Sequence, residues 1–334
     1  MPTHDLWQET LKLGASDLHV MTGHAPAVRI DGQLQSLSGP PLTVSHVMSL
    51  MKEFLREPQL KRFELTGDID SSYLLGDGTR FRINCHKVGG EPAFAARLIP
   101  NVIPSLAELR MPEVVMTLCR QMDGLVLFTG PTGSGKSTSL AAIIQQLLTE
   151  SAINVITLED PIEFRFSCEK GLVRQRELGG DFSDFSEGLK HVLRQDPDTV
   201  MVGEMRDLES IALALTLAET GHLVLATLHT PNTVQSVDRI VDVFPPHQQA
   251  QVRLQLSLSL KAVIAQRLLP RKGGGRVANR EILITTPAVS NIIREHRLAE
   301  LSSVLQTGGR EGMVTFEKDL KRLQKEGIVE EAPL

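Results

Sequence analysis

Residues 125–138 read LVLFTGPTGSGKST: an apolar run, a glycine-rich turn, then Lys136 and Ser137. This is the pattern G-x-x-x-x-G-K-[ST], with Gly130 and Gly135 at its fixed glycine positions. It constrains the fold strongly, because such a loop works where a buried strand hands over to a helix. The glycines let the backbone wrap so that several N–H groups converge on phosphate oxygens. The expected phosphate-binding residues are therefore Gly130, Pro131, Thr132, Gly133, Ser134, Gly135, Lys136, Ser137 and Thr138. Lys136 supplies a mobile charge for the β- and γ-phosphates, and the Ser137 hydroxyl can ligate Mg²⁺. A helix expected from about Lys136 to Leu148 aims its positive end at the same anion.

The chain has 334 residues, enough for two domains with separate cores. Its net charge of −5 speaks against a general nucleic-acid binder, which needs a basic face to displace counterions. No apolar run approaches the length of a membrane span, and the N-terminus shows no secretory pattern, so a cytoplasmic location is expected. Cys85, Cys119 and Cys168 form no metal-binding or disulfide spacing and are expected to be small buried apolar residues.

Residues 1–98 predict an α+β domain. Strand signals lie at 17–21, 26–31, 69–75, 79–88 and 92–98, with helical spacing at 43–54 and 56–65. Gly76-Asp77-Gly78 reads as a hairpin turn. A linker is expected over 99–111, stiffened by Pro100 and Pro104. From Pro112 to the end, apolar strands at 125–129, 153–158, 199–203, 222–228 and 280–284 alternate with helices, notably 184–195, 207–219 and 233–243. That alternation implies an α/β domain over 112–334 with a largely parallel sheet, whose ligands gather at the strands' carboxyl ends. Beyond about residue 246 the pattern reads as mainly helical, including the stretch 246–269.

Three further strand ends carry polar residues. Glu159, Asp160 and Glu163 place three carboxylates after one apolar run, suited to positioning Mg²⁺ or orienting a water. Glu204 follows the strand 199–203, with Gly203 standing where many phosphate-loop enzymes carry aspartate; metal coordination through water and water activation both remain open. His222 and His229 flank the strand Leu223–Leu228 in a spacing that matches no metal signature, and one of them can sense a γ-phosphate because its strand ends on the nucleotide side.

Taken together these segments resemble the secretion-type hexameric ATPases, and over nearly the whole chain they are similar to the pilus-retraction (twitching-motility, PilT-type) branch. ASDLHVMTGHAPAVRIDGQL (15–34) resembles that family's N-terminal signature, and GPTGSGKST (130–138) its Walker A loop. ITLEDPIEF (156–164) resembles its aspartate box, LRQDPDTVMVGEMRD (193–207) its Walker B region and TGHLVLATLHT (220–230) its histidine box. AVSNIIRE (288–295) is similar to a C-terminal motif associated with retraction.

The resemblance implies an N-terminal α+β (PAS-like) domain followed by a RecA-like ATPase domain with a mainly helical C-terminal part. It implies ATP and Mg²⁺, Glu163 as water-activating base, Glu204 acting on magnesium and water, and roles for both His222 and His229. It also implies that Arg82 and Arg97 enter the ATP site of a neighbouring subunit in a homo-hexamer. The implied partners are an inner-membrane platform protein and, indirectly, the pilin filament, with no nucleic acid and with attachment to the membrane only through a protein.

The chain departs from the family at Gln195, where glutamate is usual, and at Ser290, where an arginine is lost. Pilus-assembly and type II secretion ATPases form the alternative branch; many carry a longer N-terminal extension or a four-cysteine zinc insertion, and neither is expected here. A nucleotide-gated scaffold with little turnover is the alternative of another class, supported by Gly203 and Gln195 alone. A DNA-translocating ring is disfavoured by the net charge and the 4 % aromatic content.

Overall fold

The computed structural model describes residues 3–30, 32–76, 78–99 and 102–330. It divides into two units, Met1–Val102 and Ile103–Leu334.

The first unit runs α1 (Thr3–Lys12), β1 (Asp17–Met21), β2 (Ala27–Ile30), β3 (Gln33–Ser36), α2 (Val44–Phe54), α3 (Glu57–Thr66), β4 (Asp68–Leu74), β5 (Arg80–Val88) and β6 (Glu91–Ile99). Its six strands form an antiparallel sheet in the order β3-β2-β1-β6-β5-β4. Alternation explains the faces: Leu18, Ile83 and Ala96 point into the core, while their neighbours Arg82 and Arg97 point out. Trp7 of α1 is fully buried against the rings of Phe54, Tyr73, Phe81 and Phe94. Sequence spacing had no strong signal for α1, and β3 is exposed along its length and carries little apolar pattern. Asp77 of the expected hairpin turn, and Pro100 and Asn101 of the expected linker, lie outside the described residues.

The second unit contains α4 (Glu113–Cys119), β7 (Gly124–Thr129), α5 (Lys136–Glu150), β8 (Asn154–Glu159), β9 (Leu172–Glu177), α6 (Phe185–Val192), β10 (Thr199–Val202), α7 (Leu208–Glu219) and β11 (Leu223–Leu228). It continues through α8 (Thr233–Asp242), α9 (Pro246–Ser259), β12 (Leu260–Pro270), β13 (Arg276–Ile284), α10 (Pro287–Arg294), α11 (Leu301–Thr307) and α12 (Phe316–Lys325). Seven strands lie in the order β13-β12-β7-β11-β10-β8-β9, parallel except for the antiparallel edge strand β13. Strands β7, β10 and β11 are buried at every position, as central strands covered on both faces must be.

The stretch 246–269 corrects one expectation. Its helix ends at Ser259, and Leu260 begins a strand that pairs in parallel with β7. Ala262, Val263, Ile264 and Ala265 are all fully buried. A continuous apolar run does not separate buried helix from buried strand by periodicity, and here β7 supplies the open edge that decides it. The cysteine expectation also needs correcting at one position: Cys85 and Cys119 are buried, whereas Cys168 is exposed.

Candidate active site

The carboxyl ends of β7, β8, β10 and β11 lie level, because Leu158 pairs with Val202, Val202 with Ala226, and Leu228 with Thr129. The phosphate loop springs from β7 at this edge. Gly130, Gly133 and Gly135 all have positive φ, at 141°, 77° and 87°. Two of them are also forced by contact: a Cβ on Gly130 would lie 2.2 Å from the Gln266 carbonyl oxygen, and one on Gly135 would lie 2.8 Å from Gln266 Nε2. Pro131, Thr132 and Gly133 form the exposed tip, Ser134 is buried, and Ser137 and Thr138 are half-buried on the first turn of α5. Lys136 folds over the loop and donates to the carbonyls of Gly130 at 2.7 Å and Pro131 at 3.1 Å. Burial pulls its ammonium below the ordinary lysine value, while the charges of Glu204 and Glu163 act in the opposite sense. Both carboxylates are thus within electrostatic reach of the phosphate loop.

The three acids after β8 separate by environment. Glu159 is 6 % exposed and accepts from Thr157 Oγ1 at 2.6 Å and Gln175 Nε2 at 3.1 Å. Burial raises its pKa, even though these donors and the Glu163 backbone N–H act to lower it. It braces the loop from inside. Asp160 and Glu163 are exposed, and of the two it is Glu163 whose charge acts on Lys136.

Glu204 follows β10 and is gripped at both oxygens. Arg206 Nη2 donates to Oε2 at 2.7 Å, and His229 Nε2 lies 3.1 Å from Oε1. Burial pushes the Glu204 carboxyl up, but Arg206 and His229 outweigh it and hold the group below the usual carboxylate range. Glu204 is therefore an anion at neutral pH. Its depressed pKa contributes stability that is present above the ordinary carboxylate range and is lost as pH falls through the folded-state value. Arg206 was not singled out from sequence, although it lies two residues after Glu204 on the same loop.

Gly203 has a steric reason. A Cβ there would sit 2.9 Å from the Leu158 carbonyl oxygen, which already accepts the Gly203 N–H at 2.7 Å. Gly203→Asp should therefore not install a metal ligand. It should cost about 1–3 kcal/mol through overpacking, read as a lower Tm.

The two histidines part company. His229 follows the carboxyl end of β11 beside Glu204. His222 precedes the same strand, at the sheet's amino edge, with Nδ1 3.1 Å from the Leu217 carbonyl. Six strand residues separate them, a span of roughly 20 Å. Within this chain the strand's length carries His222 away from the loop. Gln195 also lies towards the amino edge, where its backbone carbonyl accepts from Asn154 Nδ2 at 2.9 Å and from Arg174. Ser290 lies on α10.

Arg82 and Arg97 belong to the first unit, where they are direct cross-strand partners on β5 and β6. Arg97 Nε donates to Asp17 Oδ1 at 2.8 Å. Among the described residues Arg82 has no ion-pair partner.

Magnesium fits this donor set in one way. Among the described residues no three acidic, histidine or cysteine side chains form a protein cage. Both Glu204 oxygens are already bonded, which favours contact through water. The Ser137 hydroxyl together with substrate phosphates is the arrangement that suits this ion. Beside the loop a cleft of about 410 Å³ opens, lined in part by Leu109, Arg110, Gly135, Thr138, Gln266 and Val277.

The sequence profile of the Type II/IV secretion system protein family matches residues 3–281. The chain belongs to the Type II/IV secretion system protein family. It is 45% identical over 329 residues to the Type IV pilus retractation ATPase PilT of Pseudomonas aeruginosa, covering 98% of this chain and 96% of that protein. It is 44% identical over 305 residues to a twitching motility protein of Neisseria gonorrhoeae, covering 91% and 82%. Among solved structures, the pilus retraction motor PilT with bound ADP matches with a TM-score of 0.91 at 43% identity, covering 97% of this chain and 93% of that one. In this Type II/IV secretion system protein the segments 130–138 and 156–164 meet the ends of 193–207 and 220–230 that carry Glu204 and His229 at one edge of one sheet.

Proposed function

We propose that this chain is an ATP-hydrolysing motor subunit that drives type IV pilus retraction and twitching motility. The observation that carries the reading is the arrangement at the ligand edge of the sheet: Lys136 folds over the phosphate loop, and Glu204, at the end of a neighbouring strand, is clamped by Arg206 and His229. Similarity to a retraction ATPase over the full chain supports the direction of work.

The phosphates are received by loop N–H groups and by the N-terminus of α5, with Lys136 leaving its carbonyl partners for the β- and γ-oxygens. The nucleoside lies in the cleft beside Thr138. Magnesium, when bound, neutralises charge on the β- and γ-phosphates, and Ser137 would hold it. Water attacks the γ-phosphorus as the bond to the bridging oxygen breaks, and its proton passes to the Glu163 carboxylate. Glu204, anionic and held in place, orients that water, and His229 couples Glu204 to β11. Gly203 gives no support to a scaffold with little turnover, because backbone contact with Leu158 excludes a side chain there.

In this reading six copies form a ring, Arg82 and Arg97 of one subunit complete the ATP site of the next, and the ring works on a membrane-embedded platform protein that releases pilin. Among the described residues no helix is long and apolar enough to cross a membrane. Membrane contact is assigned to that partner, from the cytoplasmic side.

Deleting the gene and supplying Glu204→Gln in its place tests the proposal. Excess, non-retracting pili are expected in both strains. Bald cells would move the protein to the assembly branch, and normal retraction by Glu204→Gln would overturn the hydrolytic role.

A further inference from the structure

A phosphate loop needs its N–H groups turned inward, which turns carbonyl groups outward into the protein, where each needs a donor. The Ser134 carbonyl is met by Gln266 Nε2 at 2.7 Å. Gln266 is 2 % exposed, and its backbone carbonyl and side-chain amide are also what Gly130 and Gly135 pack against. One residue therefore shapes the loop at three points, two of them through its side-chain amide.

An amide can turn over and exchange its oxygen for its nitrogen, so its polarity must be set by its other partners. Here Gln266 Oε1 accepts from Ser139 Oγ at 2.9 Å and from Arg280 Nε at 3.3 Å. Arg280 is the cross-strand partner of Gln266 on β13 and is 1 % exposed. Its other guanidinium nitrogens donate to the carbonyls of Leu109 at 3.0 Å and Arg110 at 3.2 Å. Arg110 has φ 49°, an uncommon conformation for a side-chain-bearing residue. The Arg280 backbone N–H is held by Asp319 Oδ2 at 2.8 Å, and Arg322 holds the other oxygen of that carboxylate.

We propose that Arg280 is a positioning residue for nucleotide binding: it fixes the polarity of the Gln266 amide, which holds the phosphate loop open-handed, and it ties the loop to the segment 109–110. This deepens the ATPase reading and rests on it. Arginine is required because three acceptors on two sides need a planar fork, which a lysine ammonium on the same stem does not supply. Burial is the main cause that lowers the Arg280 pKa to about 10, still well above neutrality, so the guanidinium remains charged.

The test is ADP titration of the purified full chain, with melting temperature measured alongside. Gln266→Glu preserves size and would pair with Arg280, so a merely structural role predicts unchanged binding. The relay instead predicts about tenfold weaker ADP, because an acceptor then faces the Ser134 carbonyl. Arg280→Lys should give a similar loss with the charge retained. The double variant Gln266→Glu/Arg280→Lys should be no weaker than Gln266→Glu alone, as expected for two residues acting in series. ADP affinity within about twofold of the parent in both single variants would overturn the relay, as would strictly additive losses. A parent protein that fails to bind ADP would instead overturn the ATPase reading and the relay with it.

Discussion

Glu163→Gln is expected to lower ATP turnover by about 10²–10⁴-fold, the range lost when a positioned general base is removed, while ADP affinity stays the same or tightens. The argument separates the three acids on the loop after β8. Glu159 is buried and bonded to Thr157 and Gln175, with burial raising its pKa, so it is not free to approach a water. Asp160 is exposed and feels Arg206. Glu163 is exposed, acts on Lys136 through its charge, and among the described residues its carboxylate has no hydrogen-bond partner. A base must be able to approach the water and take its proton, and Glu163 alone combines reach with freedom. Removing its charge also relieves repulsion with the incoming phosphates, hence the unchanged or tighter ADP binding. Steady-state phosphate release and ADP titration check both halves. Turnover within about tenfold of the parent, with collapse in Asp160→Asn, would move the base to Asp160.

What could be read from the residues followed their local character. The loop 130–138 carries its mechanism in its spacing, and the strands β7, β10 and β11 announce burial on both faces by continuous apolar runs. Glu204 and Glu163 were legible because each follows such a run at the ligand edge of a parallel sheet. The support for the loop was not legible. Gln266 lies 132 residues from Ser134, and nothing in QRLLP marks a glutamine that will face a phosphate loop. Arg280 becomes meaningful only once β12 and β13 pair, and β12 itself is hidden in a run that reads equally well as helix.

The histidines show the opposite failure. His222 and His229 look equivalent in TGHLVLATLHT, yet a strand has two ends, and only the end with His229 lies beside Glu204. The resemblance to the histidine box placed them together, and 3.3 Å of rise per residue takes them apart. Gly203 illustrates a third case: a missing aspartate suggested lost chemistry, whereas the backbone of β8 simply leaves no room for a side chain.

Arg82→Ala is expected to reduce turnover by about 10³-fold or more, the lower end of what an arginine supplied in trans contributes to phosphoryl transfer, and Arg97→Ala by less. Like charges directly opposite on neighbouring strands cost stability, so the Arg82–Arg97 pair is poorly explained by folding alone. Asp17 compensates Arg97, whose guanidinium is thereby committed to its own sheet. Among the described residues Arg82 has no such anchor, which leaves it the better placed of the two to meet an anion. Its substitution should leave Tm unchanged or slightly higher, because it removes repulsion. Arg97→Ala strips Asp17 of a partner that acts to lower its pKa. Since a depressed carboxylate pKa adds stability above the ordinary carboxylate range, that variant should lose stability at neutral pH and converge on the parent in acid. Mixing decides whether the arginine acts between subunits. Arg82→Ala chains keep an intact phosphate loop, and Lys136→Ala chains keep an intact arginine. Each is expected to be inactive alone, and co-assembled rings should regain turnover at sites where an intact loop faces an intact arginine. A mixture as inactive as its components, in rings shown to contain both chains, would place Arg82 outside the neighbour's site.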